Sequence, residues 1–138
     1  MSALLSLYEH LHPDDATPAD ADRIFEQFQS YAGSAVLIGW AGETAVASCT
    51  LVVIPNLTRG GRPFGLIENV VTHSAHRNRG FAKAVLLAAT ERAWEADCYK
   101  VMLLTGAADP TAHALYHSAG FSQSKTGYQM RRDAVREG

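Results

Sequence analysis

Four residues able to carry positive charge, His76, Arg77, Arg79 and Lys83, crowd into eight positions of the segment His76-Arg77-Asn78-Arg79-Gly80-Phe81-Ala82-Lys83. Immediately beyond, apolar residues recur at 81, 84, 85, 88 and 89. That series belongs to a helix with one buried face, and it predicts a helix beginning near Arg79 or Gly80. Such a start exposes unpaired N–H groups and a partial positive charge, so the pattern is that of an anion site. Small residues at 80 and 82 leave room for a phosphate to approach the backbone. The segment lacks the Gly-Lys-Ser/Thr ending of a P-loop and the GxGxxG of a dinucleotide fingerprint. His73-x-x-His76 and His113-x-x-x-His117 have spacings that metal ligands use, but no third ligand stands near either pair, and no metal is expected.

The flanking segments must position this loop. PFGLIENVVTH, 63–73, reads as a strand leading into it, and CYKVMLL, 98–104, as a short buried strand after its helix. SAVLIGW and TAVASCTLVVI, joined by Ala41-Gly42-Glu43, read as a hairpin. PTAHALYHSAGF is a short helix, with Gly120 at the position after its C-cap and Phe121 folding back over its end. GYQMRR, 127–132, is expected to form a last strand. Before the hairpin, LLSLYEHLH is helical in pattern. A second helix is expected with Thr17 as N-cap, Pro18 at its first position, Asp20 complementing its dipole and Ile24, Phe25 and Phe28 as its apolar face. Trp40 and Trp94 read as core or boundary residues. Mixed helices and strands without repeat or linker predict one α/β (α+β) domain over residues 1–138.

Composition narrows the class. The chain is 47% apolar and 19% charged, with a net charge of −2, which argues against a general nucleic-acid partner. Residues 1–30 hold six acids and one base, while residues 59–83 hold five bases and one acid; a small polyphosphate suits that local field better than a polymer does. No apolar run approaches the ~18 residues of a membrane span, and no export signal is evident, so a cytoplasmic protein with no membrane partner is expected. Cys49 and Cys98 are too few and too far apart for a disulfide framework.

Arg77-x-x-Gly80-x-Ala82, the apolar strand before it, the strand after its helix, and Ala112-x-x-Leu115-Tyr116-x-x-x-Gly120-Phe121 occur in one order. Together they resemble the GNAT acetyltransferases over residues 35–132. The resemblance implies the GNAT fold: a mixed central sheet with splayed parallel strands, flanked by helices. IENVV, HRNRGFAK, CYKVML and YQMRR are most similar to the branch of that family whose acceptor is an amino sugar phosphate. Two departures stand out. The Glu-Asp pair of that branch is Glu68-Asn69 here, and the chain opens in helix where the family usually opens with a strand.

The resemblance further implies acetyl-CoA as co-substrate, with its pyrophosphate on Arg77, Asn78, Arg79, Gly80, Phe81 and Ala82 and its pantetheine arm along Val70, Val71 and Thr72. The acceptor would be a small-molecule or peptide amine, attacking directly within a ternary complex. By the same resemblance Glu68 is the base, Tyr116 the acid that protonates the departing thiolate, a backbone N–H near Val70 the oxyanion donor, and Glu68 and Asn69 contact the acceptor. A phosphorylated acceptor needs basic side chains, for which Arg59, Arg62, Arg131 and Arg132 are available. A homodimer is implied too, with the C-terminal strand at the contact. Because Asn69 cannot act as a base, the alternative is a non-catalytic acyl-CoA-binding sensor or interaction module of the same fold.

Overall fold

The computed structural model describes residues 1–133. Helices α1 (Ser2–Tyr8) and α2 (Ala21–Gln29) precede a hairpin of β1 (Ala35–Ala41) and β2 (Thr44–Ile54). Then follow β3 (Phe64–Thr72), α3 (Phe81–Glu95), β4 (Val101–Leu103) and α4 (Pro110–Ser118). The strands form one sheet in the order β1-β2-β3-β4, antiparallel except for the parallel β3–β4 pair. This is the mixed, helix-flanked sheet that the sequence leads one to expect.

Strand alternation divides the core in two. On one face Ala47, Cys49, Leu51 and Ile67 pack against Val85, Leu86, Ala89 and Ala93 of α3, with Leu115, Tyr116 and Phe121 of the α4 region beside them. On the other face Ala45, Val71 and Ile38 meet Leu7, Tyr8 and Leu11 from α1 and its end. Alanines on both sides of the first interface let α3 lie close to the sheet.

Several expectations are corrected. The buried stripe of α3 is Val85, Leu86, Ala89 and Ala93, with Phe81 packed against the same core, whereas Ala84 and Ala88 of the expected series are exposed: every residue from 84 to 89 is apolar, so periodicity alone does not choose the face. α2 begins at Ala21 behind Asp20 rather than after Thr17 and Pro18, and buries none of its residues. β4 has three residues and lies at the sheet edge, so it is not a buried strand. Trp40 and Trp94 are 54% and 49% exposed, the first on edge strand β1 and the second on the outer side of α3. No strand forms at 127–132; this segment finds no pairing edge within the described residues. No helix among the described residues is long and apolar enough to cross a membrane.

Candidate active site

The site begins where two parallel strands part. β3 and β4 pair only from Gly65–Val101 to Ile67–Leu103. β3 then continues alone on that side to Thr72 while the chain leaves β4 towards α4. Backbone groups of residues 68–72 on this edge therefore have no strand partner among the described residues. An unpaired strand edge is suited to an extended ligand carrying amides of its own. Val70 is half-buried against the α3-side core, whereas Val71 is buried on the α1 side.

A bulge sets the direction of the side chains here. Ser48 pairs with Val71 and Thr50 with Glu68, so Cys49 faces two residues, Asn69 and Val70. Asn69 takes φ 52°, a left-handed conformation that Asn tolerates better than most residues. Glu68 and Asn69 are both exposed, and Glu68 has no ion pair among the described residues.

Beyond β3, His73 caps a single turn of 3-10 helix, Ser74–His76, by accepting from the Ala75 N–H at 3.1 Å. Residues 77–80 then form an exposed loop in which Asn78 (φ 62°) and Gly80 (φ 79°) are left-handed. Such alternation turns successive N–H groups towards one side. Gly80 is the N-cap of α3 and offers no capping side chain. The first helical bond is Ala84 N–H to Gly80 O, leaving the N–H groups of Phe81, Ala82 and Lys83 without helical partners. Arg77, Arg79 and Lys83 form no ion pair among the described residues. Free donors, local dipole and uncompensated cations together fit a pyrophosphate.

Tyr116 arrives from the other side of the opening. Asp109 caps α4, its Oδ1 accepting from the Ala112 N–H at 3.0 Å, and Pro110 occupies the first turn. At the far end Gly120 N–H binds His117 O and Phe121 N–H binds Tyr116 O, at 3.1 and 3.0 Å. This paired closure needs the left-handed Gly120, φ 96°. The Phe121 ring meets the edge of Tyr116 at 6.3 Å and 72°. The Tyr116 hydroxyl is pushed above its ordinary pKa of 10.0, first by burial and then by the negative fields of Asp109, Cys49 and Glu68. Tyr116 and Glu68 thus share one electrostatic neighbourhood, and a phenol kept protonated there is a proton donor.

Not every expected residue converges. Arg62 pairs with Asp97 at 3.3 Å and Arg59 lies over the Tyr99 ring at 5.7 Å. Both belong to the connection before β3. From Arg62 to Glu68 is six residues, about 20 Å in extended chain. His113 contacts Gly106 O at 3.2 Å, and among the described residues no group of three or more His, Cys, Asp or Glu is arranged to hold a metal. Asp109 was not singled out from the sequence, although Asp-Pro before an apolar helix is a readable start signal. Tyr8 carried no such signal.

The profile of the acetyltransferase (GNAT) family matches residues 1–121. A solved structure from Agrobacterium tumefaciens strain C58, assigned as an acetyltransferase, superposes with a TM-score of 0.89 at 45% identity, covering 95% of this chain and 92% of that one. Glucosamine 6-phosphate N-acetyltransferase of Trypanosoma brucei brucei is 37% identical over 90 residues, 64% of this chain and 56% of the relative. A protein of Oryza sativa subsp. japonica assigned as glucosamine 6-phosphate N-acetyltransferase 2 is 38% identical over 85 residues, 62% and 48% of the two chains. The chain thus spans about half the length of the curated relatives it matches. The architecture is an opened mixed sheet with a basic loop at the start of α3, and the chain belongs to the GNAT acetyltransferase family.

Proposed function

We propose that the protein is an acetyl-CoA-dependent N-acetyltransferase, formed as a single domain and acting on a primary amine. The observation that carries this reading is the half-buried, proton-retaining Tyr116 in the field of Glu68, at the opening between β3 and β4. Residues 77–82 hold the pyrophosphate, and the free edge of Val70, Val71 and Thr72 pairs with the pantetheine amides. When bound, acetyl-CoA supplies the thioester whose C–S bond breaks as the new C–N bond forms.

The acceptor arrives as an ammonium, pKa about 10, which has no lone pair with which to attack. Glu68 takes its proton, directly or through one water, and Asn69 orients the acceptor. A backbone N–H at Val70 steadies the carbonyl oxygen as it gains negative charge. Tyr116 gives its proton to the departing sulfur, which leaves as CoA thiol, and recovers a proton from solvent.

For the acceptor we favour an amino sugar phosphate, because two relatives carry glucosamine 6-phosphate in their names. With Arg59 and Arg62 engaged elsewhere, Arg131 and Arg132 are left to hold its phosphate. They lie on the exposed segment after α4, where Tyr128 and Met130 are 91% and 97% exposed. We therefore place that segment against a second copy, beside the unpaired edge of β4, in a homodimer that equilibrium sedimentation would register. Two buried free thiols accord with a reducing, cytoplasmic setting.

Thermal unfolding with acetyl-CoA, CoA, ATP and NAD in parallel tests the cofactor. A ligand at 100 times its Kd adds about 2.7 kcal/mol, which raises the midpoint by several degrees. A rise with the two CoA species alone is expected, followed by thiol release on adding glucosamine 6-phosphate. No rise with either CoA species overturns the reading.

A further inference from the structure

The α1 side of the sheet carries polar groups that the assignments above leave unused. Tyr8 ends α1, half-buried among Leu7, Ala45 and Val71. The Thr50 side chain lies close enough to the Tyr8 hydroxyl to interact with it. Thr50 in turn stands directly opposite Glu68 in the β2–β3 register, where opposed Cβ atoms lie about 5 Å apart. Ser48, two residues along β2 and so on the same face, is fully buried with no partner for its hydroxyl among the described residues. Packing alone would be served better by apolar side chains at these positions, because a buried hydroxyl gains nothing from an apolar neighbour. Instead Tyr8 and Thr50 set two hydroxyls on the face of the sheet that carries Glu68, with Thr50 directly across from it.

Two tyrosines consequently reach the bulge from opposite faces of the sheet. Tyr116 comes with the α3-side core and Tyr8 with the α1-side cluster, and both sense Cys49, the residue opposite the bulge. Tyr116 has a role in the reaction proposed above, whereas Tyr8 as yet has none.

We propose that Tyr8 and Thr50 are positioning residues for Glu68, holding its carboxylate towards the acceptor amine. The inference rests on Glu68 being the base. With Glu68 ionised, the Tyr8 hydroxyl donates to Thr50 Oγ1 and the Thr50 hydroxyl donates to the carboxylate. Once Glu68 has taken the amine's proton it becomes a donor, and rotation of the two hydroxyls reverses both hydrogen bonds without any proton leaving its oxygen. The same two side chains therefore serve the base before and after it acts. A valine and a phenylalanine in their places would fill the space and serve neither form.

The test is a double-mutant cycle in the full chain. Tyr8→Phe, Thr50→Val, Glu68→Gln and the Tyr8→Phe/Glu68→Gln pair are compared by thiol release with glucosamine 6-phosphate, spermidine and a peptide with a free N-terminus, using whichever wild type turns over fastest. Acetyl-CoA affinity is read by calorimetry and folding by the thermal midpoint. Tyr8→Phe and Thr50→Val are each expected to lower kcat roughly tenfold, with acetyl-CoA affinity unchanged. Tyr8→Phe is expected to add no further loss in the Glu68→Gln background. Equal losses in both backgrounds, or no loss in either, overturn the inference while leaving the enzyme reading intact. A fully active Glu68→Gln protein removes the base, and the inference with it. Absence of turnover by wild type that still binds acetyl-CoA overturns the catalytic reading itself.

Discussion

A phenol acts as an acid only while it keeps its proton. Burial secures this for Tyr116, and the neighbouring Asp109, Cys49 and Glu68 reinforce it. Replacing Tyr116 by Phe removes the proton and little else, so kcat is expected to fall about 100-fold while acetyl-CoA affinity stays within about twofold. The sign of the shift also fixes a pH dependence. Since the pKa lies above 10.0, Tyr116 remains a donor throughout the neutral and mildly alkaline range. The kcat profile should therefore show no descending limb below pH 10 from this group. A limb centred near pH 8 would assign the donor to another residue. Tyr116 was legible because it stands four positions before Gly120-Phe121; Tyr8 was not, because a tyrosine in an apolar first helix reads as packing.

α4 is the element that holds Tyr116, and both of its ends are built from identifiable residues. Asp109 closes the start and Gly120 the finish. Asp109→Ala is expected to cost about 1 kcal/mol, seen as a lower urea midpoint at an unchanged slope. It should also reduce kcat, because a frayed first turn loosens the helix that carries Tyr116, the acid proposed above. Removing Asp109 takes away a negative field as well, so the Tyr116 pKa should fall slightly towards its ordinary value. α3 shows the limit of reading one element by itself. Its start was legible from Gly80 and the basic residues around it. Its buried face was not, since Ala84 and Ala88 suit water or core equally well and only the position of the sheet decides between them.

At the scale of the whole molecule, the same close packing that shapes the site makes the fold sensitive to alkali. Cys49 lies between the sheet and α3, its Sγ–H directed at Val85 O at 3.5 Å, and burial pushes its thiol from 9.0 to about 12. Burial also raises the Cys98 thiol. A raised folded pKa gives stability that is complete below the unfolded value and is lost as pH climbs towards the folded one. Between pH 9 and 10 the unfolding free energy should fall by up to about 1.4 kcal/mol per pH unit on account of the Cys49 thiol. Cys49→Ala should unfold at a lower midpoint at pH 8 yet lose less on going to pH 10. Parallel slopes for wild type and variant would show that Cys49 contributes nothing to the alkaline transition.

The chain by itself determined what depends on neighbours in sequence. The hairpin, the strand into the basic loop, the helix start at Gly80 and the αL closure at Gly120 all follow from local periodicity and backbone preference. The family resemblance followed because those local signals occur in one order. Tertiary structure decided what depends on distant partners. Among the described residues it left 127–132 without a strand to pair with and left every residue of α2 at least partly exposed. It set Arg59 and Arg62 at the end of the sheet away from Glu68 by pairing them with Asp97 and Tyr99. It also brought Tyr8, Thr50 and Glu68 onto one face across 60 residues of chain, through a register that no local pattern specifies. Hydrogen-bond register and packing are properties of pairs of segments, and neither segment states them alone.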